Sequence, residues 1–264
     1  MGQPLGKQEN LPPPFALNPP PISKNERNRS ERLTFELIIF GSTREKLDVL
    51  LDAFMKFGKR GIEHGRTNVR FKIIAVRDLL NERKLIVVQK SSKESNLASE
   101  VQNQIKSESI LQVVKTRPEV LPSSLTIHFI TPVRVEGSNP RRRDPVSNLA
   151  IFSDCYDFVF DLSARIAEIW QLYGKSWPGH KEYFHWQENL KKASRQIVWD
   201  KDSLKMERRK RLSNLQAKNL GADGFTGEVK LSGDFTELWD LFRIGEIVHV
   251  GQMTSFGFGR YLML

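Results

Sequence analysis

The stretch Leu125-Thr-Ile-His-Phe-Ile-Thr-Pro132 decides the fold of the carboxy-terminal half of this chain. Its composition predicts a β-strand that ends at a proline, a residue with no N–H to donate to a sheet. The segments after it are predicted to be a long helix, two strands, a short helix and a terminal strand, over about 148–173, 195–199, 225–231, 235–242 and 261–264. A further helix pattern near 183–192 precedes the first of those two strands. This order is the ferredoxin-like arrangement, an antiparallel sheet with its helices on one face.

The stretch 33–89 contains only part of the same order. Residues 33–40 predict a strand, and apolar residues at helical spacing over 47–57 predict an amphipathic helix that ends near Gly58. Two further strands are predicted over 69–76 and 84–89. We therefore expect an α+β protein with tandem ferredoxin-like (RRM-like) units, of which the first is incomplete.

The expected domain division places a proline-rich lead-in arm before the first unit. That arm, residues 1–31, holds seven of the thirteen prolines, and polyproline segments stay extended without a core. The predicted domains are the arm 1–31, a partial ferredoxin-like unit 32–90, a polar connector 91–123 and a ferredoxin-like unit 124–264.

Aromatic residues on the long helix indicate its inner face. Because of their spacing, we expect this helix to bury Phe152, Tyr156, Val159, Phe160, Ile166 and Trp170. Trp199 and Trp239 also fall on apolar faces and are expected in the core. The single cysteine, Cys155, is interpreted as a small core residue.

The bulk composition favours a protein that binds a polyanion. The 264 residues include 41 basic and 31 acidic side chains, a formal net charge of +10. No apolar run reaches the length of about 18 residues that a membrane span needs, and the first ten residues lack the layout of a secretory signal. One cysteine cannot form an internal disulfide, which fits a reducing compartment. We expect a cytoplasmic protein that does not bind membranes.

The carboxy-terminal tail carries the strongest functional pattern, Gly245-Glu-Ile-Val-His-Val-Gly-Gln-Met-Thr-Ser-Phe-Gly-Phe-Gly-Arg-Tyr-Leu-Met-Leu264. Glycine lets backbone amides approach a ligand closely, and the nearby hydroxyls and guanidinium add donors for an anion. We interpret the tail as a nucleic-acid clamp. The RNA-binding candidates in it are Gly251, Thr254, Ser255, Gly257, Gly259 and Arg260.

The tail over 245–261 resembles the glycine-rich signature of the CRISPR-associated endoribonucleases that cut precursor guide RNA, within the RAMP superfamily. Weaker similarities lie in the expected order at 11–17, 58–66 and 211–216. The resemblance implies tandem ferredoxin-like domains and metal-independent RNA cleavage. In that reaction the ribose 2′-hydroxyl attacks the adjacent phosphate, which leaves a 2′,3′-cyclic phosphate, and no cofactor takes part.

Two features of the sequence depart from the family pattern. Family members usually carry a further stretch at the start, which supplies the opening strand and helix of the first domain and, in several branches, the general-base histidine near that helix. The proline-rich arm begins almost at Met1, so the resemblance implies that this portion is missing. The residue after Gly251 is often lysine in similar tails and is Gln252 here, which removes one cation from the loop.

His249 is the first candidate for acid–base catalysis, because imidazole titrates near neutrality and the loop glycines surround it. The alternative is a histidine held on a strand for structural reasons. His64, between two glycines, is the second candidate. His128, His180 and His185 are interpreted as structural or surface residues. The five histidines and one cysteine lack metal-ligand spacing, so no metal is expected.

Two basic segments are further candidates for contacts with RNA phosphates. Lys205-Met-Glu-Arg-Arg-Lys-Arg211 contains Arg208, Arg209, Lys210 and Arg211, and a proline-flanked loop contains Arg141, Arg142 and Arg143. The alternative for both segments is a solvated charged surface.

Three functions follow from these patterns. The preferred one is an endoribonuclease that binds CRISPR repeat RNA, as a hairpin or a single strand, and processes precursor guide RNA. The second is a catalytically inactive RAMP protein that binds guide RNA in a CRISPR effector complex with other subunits. The third is binding of other proteins or of a membrane surface, instead of RNA, through the basic surface.

Overall fold

The computed structural model describes residues 12–18, 34–64, 67–78, 83–87, 117–135, 151–208, 210–213, 218–221 and 223–264. The chain forms two compact units, one of Met1–Phe40 with Val113–Leu264 and the other of Gly41–Gln112. The strands of the described residues are β1 Phe15–Asn18, β2 Glu36–Ile39, β3 Ile62–His64, β4 Thr67–Val69, β5 Ala75–Asp78, β6 Arg83–Val87, β7 Ser124–Val133, β8 Val198–Asp200, β9 Lys205–Glu207, β10 Lys210–Ser213, β11 Lys218–Gly221, β12 Gly224–Ser232 and β13 Tyr261–Met263. The α-helices are α1 Leu47–Arg60, α2 Cys155–Tyr173, α3 His180–Ser194 and α4 Trp239–Val248.

The main sheet of the first unit is antiparallel, with the order β13-β7-β12-β8, and β9 also pairs with β12. β7, the first strand of this sheet along the chain, therefore lies between the last strand, β13, and β12. Because β8 and β9 both pair with β12, this is the ferredoxin-like order. The α+β, ferredoxin-like fold is confirmed. Two smaller hairpins accompany this sheet, β1 with β2 and β10 with β11.

Strand β7 lies inside this sheet, between β13 and β12. Its side chains alternate between two environments. Leu125, Ile127 and Phe129 are buried, whereas the residues between them are partly exposed on the opposite face. The strand continues through Pro132 to Val133, beyond its predicted end. The register of the β7–β12 pair shifts between Phe225 and Gly227, and Pro132 lies opposite this shift without a paired residue in β12. The missing N–H of the proline therefore interrupts no regular pair.

Helix α2 covers the sheet and begins at Cys155, later than the predicted start near residue 148. The carboxylate of Asp154 accepts a hydrogen bond of 2.8 Å from the N–H of Asp157, which caps the helix at this point. Phe158 is fully buried and lies at 5.5–6.1 Å, centroid to centroid, from the rings of Phe129, Tyr261, Phe242 and Trp199. This aromatic cluster forms the centre of the core.

The predicted inner face of α2 was wrong at two positions. Phe160 is 37% exposed and Trp170 is 43% exposed, whereas Phe152 and Val159 are fully buried as expected. Phe160 lies two residues beyond Phe158, which places it on roughly the opposite side of the helix. Its ring contacts solvent and the ammonium of Lys191 on α3, at 5.2 Å from the ring centroid.

The other expectations for the core are confirmed. Trp199 and Trp239 pack against the core while remaining partly exposed, and Cys155 is fully buried. Burial raises the pKa of the Cys155 thiol far above its ordinary value, so the side chain remains protonated.

In the second unit, α1 follows a 3₁₀ turn, Gly41–Lys46, and two hairpins follow the helix, β3 with β4 and β5 with β6. The predicted strand over 69–76 is divided, because the N–H of Phe71 donates to the carbonyl of Gly58 in α1 instead of to a neighbouring strand. The Phe71 ring also packs edge-on against Phe57. The two compact units are divided at other positions than the predicted domains and do not test them. The predicted domain boundaries therefore stay a prediction.

The aromatic core gives a direct test of this packing. We expect Phe158→Ala to lower the free energy of unfolding by about 3–5 kcal/mol. The substitution leaves a cavity among five rings, those of Phe129, Phe152, Trp199, Phe242 and Tyr261. Phe160→Ala on the same helix is the matched control and should cost far less. Chemical denaturation of both variants measures the difference. Equal losses would contradict the assignment of the buried face.

Candidate functional site

The glycine-rich tail folds back over the end of β7 after α4 ends at Val248. Backbone hydrogen bonds join the N–H of Val250 to the carbonyl of Gly259 at 3.0 Å and the N–H of Gly259 to the carbonyl of Pro132 at 2.9 Å. The N–H of Gln252 donates to the carbonyl of Arg134 at 2.7 Å. The tail is therefore attached to β7 before it becomes β13.

Two tail glycines are required by this close attachment. Gly251 has a φ of +77°, and a Cβ atom there would lie 2.3 Å from the carbonyl oxygen of Arg134. Gly259 has a φ of +74°, and a Cβ atom there would lie 1.8 Å from the carbonyl oxygen of Val250. Such positions accept only glycine without rearrangement.

The sequence suggested that the tail amides would face an anion, and at several positions this is wrong. Besides the amides of Gln252 and Gly259, the N–H of Gly257 donates to the carbonyl of Thr254, and the N–H of Arg260 donates to Oγ1 of Thr131 at 2.9 Å. These donors already have acceptors within the protein. Any contact of this part of the tail with an anion must therefore come from side chains or from other amides.

His249 is the residue after α4, and its side chain is completely buried. Its φ of 63° and ψ of 170° fall in a region that is essentially restricted to glycine. Neither ring nitrogen has a hydrogen-bond partner among the described residues. Burial lowers the pKa of His249 to about 3, the positive charges of Arg165 and Arg260 act in the same direction, and the backbone of Phe258 acts in the opposite direction. The imidazole is therefore neutral at physiological pH.

Arg165 is a buried residue of α2 that connects this helix to the start of the tail. Its Nε donates to the carbonyl of Val248 at 2.7 Å, and its Nη2 has no partner among the described residues. Burial lowers the pKa of Arg165 to about 10, against the attraction of Glu168, so the guanidinium remains charged. The sequence analysis missed this residue, although an arginine within the apolar stripe of a helix is itself an unusual feature.

Arg260 lies at the base of the tail and forms an ion pair with β2. Its Nη2 is 3.4 Å from Oε2 of Glu36, and the same oxygen accepts a hydrogen bond of 2.7 Å from Nδ2 of Asn18 in β1. Strand β1 also packs against the 3₁₀ turn Thr254–Phe256 of the tail. Glu36 and Asn18 were not identified from the sequence, because they come from a hairpin more than 200 residues away along the chain.

The other tail candidates differ in exposure. Thr254 is buried and Ser255 is half-buried. Together with Gly251, Gly257, Gly259 and Arg260 they form one continuous loop, whose role in binding stays a prediction.

The remaining candidates are only partly covered by the structure. Arg208 is exposed directly after β9, whereas Arg209 and Arg141–Arg143 lie outside the described residues. Lys210 and Arg211 lie in β10 and His64 ends β3, but their side chains are outside the described part of the chain. His64 belongs to the compact unit Gly41–Gln112, a different unit from the tail. The site assignments of all these residues stay predictions.

The described ranges contain no metal-binding cluster and no membrane-spanning helix. No three His, Cys, Asp or Glu residues within them are grouped so that they could hold a metal ion. None of the helices in those ranges combines the length and apolar character that crossing a bilayer requires.

The fold and the tail define an α+β protein of the ferredoxin-like class. A family model described as CRISPR-associated endoribonuclease Cas6 matches residues 127–261, just over half of the chain, from β7 to the start of β13. The chain therefore belongs to the Cas6 family, as the tail resemblance indicated. A second family model, described as an N-terminal domain, matches residues 1–103. No curated protein matches the chain.

Solved structures with the same fold include a Cas6 product complex and a partial Cas6-RT-Cas1–Cas2 complex. The first has a TM-score of 0.54 at 17% identity, over 95% of this chain and 82% of the matched one. The second has a TM-score of 0.57 at 13% identity, over 95% of this chain but only 38% of the matched one. At 17% and 13% identity, these similarities establish the fold alone.

The buried His249 predicts a specific pH dependence of stability. Its pKa is lower in the folded than in the unfolded state, so the unfolded state binds more protons between about pH 6.5 and pH 3. The stabilisation is complete above pH 6.5 and is lost as the pH falls through that window, by up to about 1.4 kcal/mol per pH unit.

Denaturation of His249→Asn at pH 7 and pH 5 measures this contribution. We expect the variant to lose less stability between the two pH values than the wild type does. His185→Asn removes an exposed histidine of α3 and should retain the wild-type dependence. An unchanged pH dependence in His249→Asn would show that the imidazole is not buried in its neutral form.

Proposed function

We propose that this protein binds CRISPR repeat RNA and cuts precursor guide RNA by a metal-independent reaction. The observation that carries the proposal is the Cas6 family match over 127–261, which runs from within β7 to the start of β13. The solved relatives of the same fold include one described as a product complex. The net charge of +10 supports a polyanionic ligand.

The reaction would use a nucleophile that belongs to the substrate. The ribose 2′-hydroxyl attacks the adjacent phosphorus, the bond to the 5′-oxygen of the next nucleotide breaks, and a 2′,3′-cyclic phosphate and a 5′-hydroxyl result. One group must take the 2′-proton, another must protonate the leaving oxygen, and cations must stabilise the charge on the phosphorane. Arg260 and Ser255 are the proposed phosphate ligands.

His249 is the proposed acid–base residue of the tail, and it would have to leave its buried position before it acts. Two features make the buried state of His249 energetically unfavourable. The backbone conformation costs about 1–3 kcal/mol for a residue other than glycine, and both ring nitrogens are buried without partners. A rearrangement at 249–251 that brings the ring to the surface would relieve both. The exposed ring would also recover a pKa closer to neutrality, where a proton acceptor is effective.

His64 stays the second candidate for this role, in the unit Gly41–Gln112. The proposed partners are repeat RNA and, through it, the other subunits of a CRISPR effector complex, and the proposed location is the cytoplasm. A solved relative is described as part of a Cas6-RT-Cas1–Cas2 complex, which supports an assembly with other CRISPR proteins.

Cleavage of labelled repeat RNA in EDTA tests the proposed reaction. We expect a single cut that leaves a 2′,3′-cyclic phosphate. A 2′-deoxy substitution at the scissile nucleotide should abolish cleavage and retain binding, because it removes only the nucleophile. The same substitution one nucleotide away is the control. Tight binding with no cut in the all-ribose RNA would instead support the inactive RAMP subunit.

The Arg260–Glu36 ion pair predicts opposite effects from its two members. Arg260→Ala should weaken repeat RNA binding about tenfold and flatten its salt dependence, because one phosphate contact is lost. Glu36→Gln should strengthen binding, because it removes the carboxylate that competes with the phosphate for Arg260. Arg195→Ala removes an exposed arginine directly after α3 and should have little effect.

A salt series of binding titrations measures all three variants. Weaker binding after Glu36→Gln, equal to that after Arg260→Ala, would contradict the role of Arg260 as a phosphate ligand. It would mean that the pair acts only by holding β2 to the tail.

A further inference from the structure

Four aromatic side chains and one histidine form a connected row of rings where α2 ends and α3 begins. The ring centroids of Trp170 and Trp177 are 5.8 Å apart, and that of Trp177 is 6.2 Å from His180 and 5.7 Å from Tyr183. Tyr183 is in turn 5.6 Å from Phe184. These five residues are called the ring corner below.

The ring corner is open to solvent at its two ends. Trp170 is 43% exposed and Phe184 is 58% exposed, although large aromatic side chains contribute most to stability when buried. The fold does not require either ring at the surface, since the core aromatic cluster is complete without them. Exposed aromatic side chains grouped in this way are typical of a binding surface.

The charges around the ring corner favour an anionic ligand. Lys175, His180 and Lys181 are exposed in the short stretch 175–185, which contains one acidic residue, Glu182. Glu168 of α2 is a second acidic residue near the rings, since its charge acts on Tyr183. Rings that accept a stacked base, next to cations that accept a phosphate, are the combination that binds single-stranded nucleic acid. A protein ligand would use the aromatic surface but has no general need for the cations.

The ring corner is connected to the tail through one short segment. The hydroxyl of Tyr173, at the end of α2, donates to the carbonyl of Pro12 at 2.6 Å. Residues Phe15–Asn18 of the same segment pack against the tail turn Thr254–Phe256. Segment 12–18 therefore contacts the end of α2 at its start and the proposed cleavage site at its end.

We propose that the ring corner binds the single-stranded part of the RNA whose cleavage site lies at the tail. Trp170 and Phe184 stack on unpaired bases, and Lys175 and Lys181 contact the phosphates between them. The proposal rests on the proposed function, because it assumes that the tail holds repeat RNA. It adds a second contact that favours substrates with an unpaired flank over the repeat alone.

The experiment compares two RNAs, each made uncleavable by a 2′-deoxy substitution at the scissile nucleotide. One is the repeat RNA alone, and the other carries a single-stranded uridine extension, tested in turn at each end. We expect wild-type protein to bind one of the extended RNAs about tenfold more tightly than the repeat alone, as expected for a stacked base. Trp170→Ala and Phe184→Ala should remove this gain and leave the affinity for the repeat alone unchanged.

Conservative variants separate stacking from general apolar contact. Phe184→Tyr keeps an aromatic face and should retain the gain, whereas Phe184→Leu keeps the apolar area and should lose it. Phe160→Ala removes another exposed aromatic ring of α2, outside the ring corner, and should retain the gain. Lys175→Ala should lower the salt dependence of binding to the extended RNA only.

Three outcomes would overturn the proposal. Equal wild-type affinity for all the RNAs leaves the proposed function intact but assigns the ring corner to another ligand, such as a partner protein. Loss of affinity for the repeat alone in Phe184→Ala would indicate a structural role. Failure of the wild type to bind any of these RNAs would overturn both this proposal and the proposed function.

Discussion

The attachment of the glycine-rich tail to the end of β7 is the constraint on which the rest of the site depends. The carbonyls of Pro132 and Arg134 accept hydrogen bonds from the N–H groups of Gly259 and Gln252, and two positions in the tail approach backbone so closely that only glycine fits. This attachment fixes where α4 must end and where β13 must begin. It therefore determines that His249 is buried and that Arg260 lies beside β2.

The same constraint changes the chemical interpretation of the glycines. A glycine-rich loop suggests backbone amides that bind phosphate, as at many anion sites. In this protein several of those amides stabilise the fold itself, and the positive charges that act on His249 are those of Arg165 and Arg260. An anion that reached the surface of this region would meet the partly exposed guanidinium of Arg260, because Arg165 is buried.

The sequence was sufficient for those features that depend on local pattern. The strand at 125–132, the strands near 198 and 225 and the terminal strand were predicted from alternation and composition, and their order indicated the ferredoxin-like fold. The strands β9, β10 and β11 were not predicted. Features that depend on contacts between distant segments could not be obtained in this way. The hydrogen bond from Arg165 to Val248 spans 83 residues, and the Glu36 partner of Arg260 comes from the start of the chain. Phe160 was misassigned because a helix pattern rich in apolar residues does not show which side meets the sheet.

Hydrogen exchange of the tail amides, measured by NMR with and without uncleavable repeat RNA, tests this account most directly. We predict that the N–H groups of Gly257, Gly259 and Arg260 exchange slowly in the free protein and at nearly the same rates in the complex. Fast exchange in the free protein, with protection that appears only when RNA binds, would contradict the account. It would mean that the tail amides are available to the RNA and that the glycines serve to bind it.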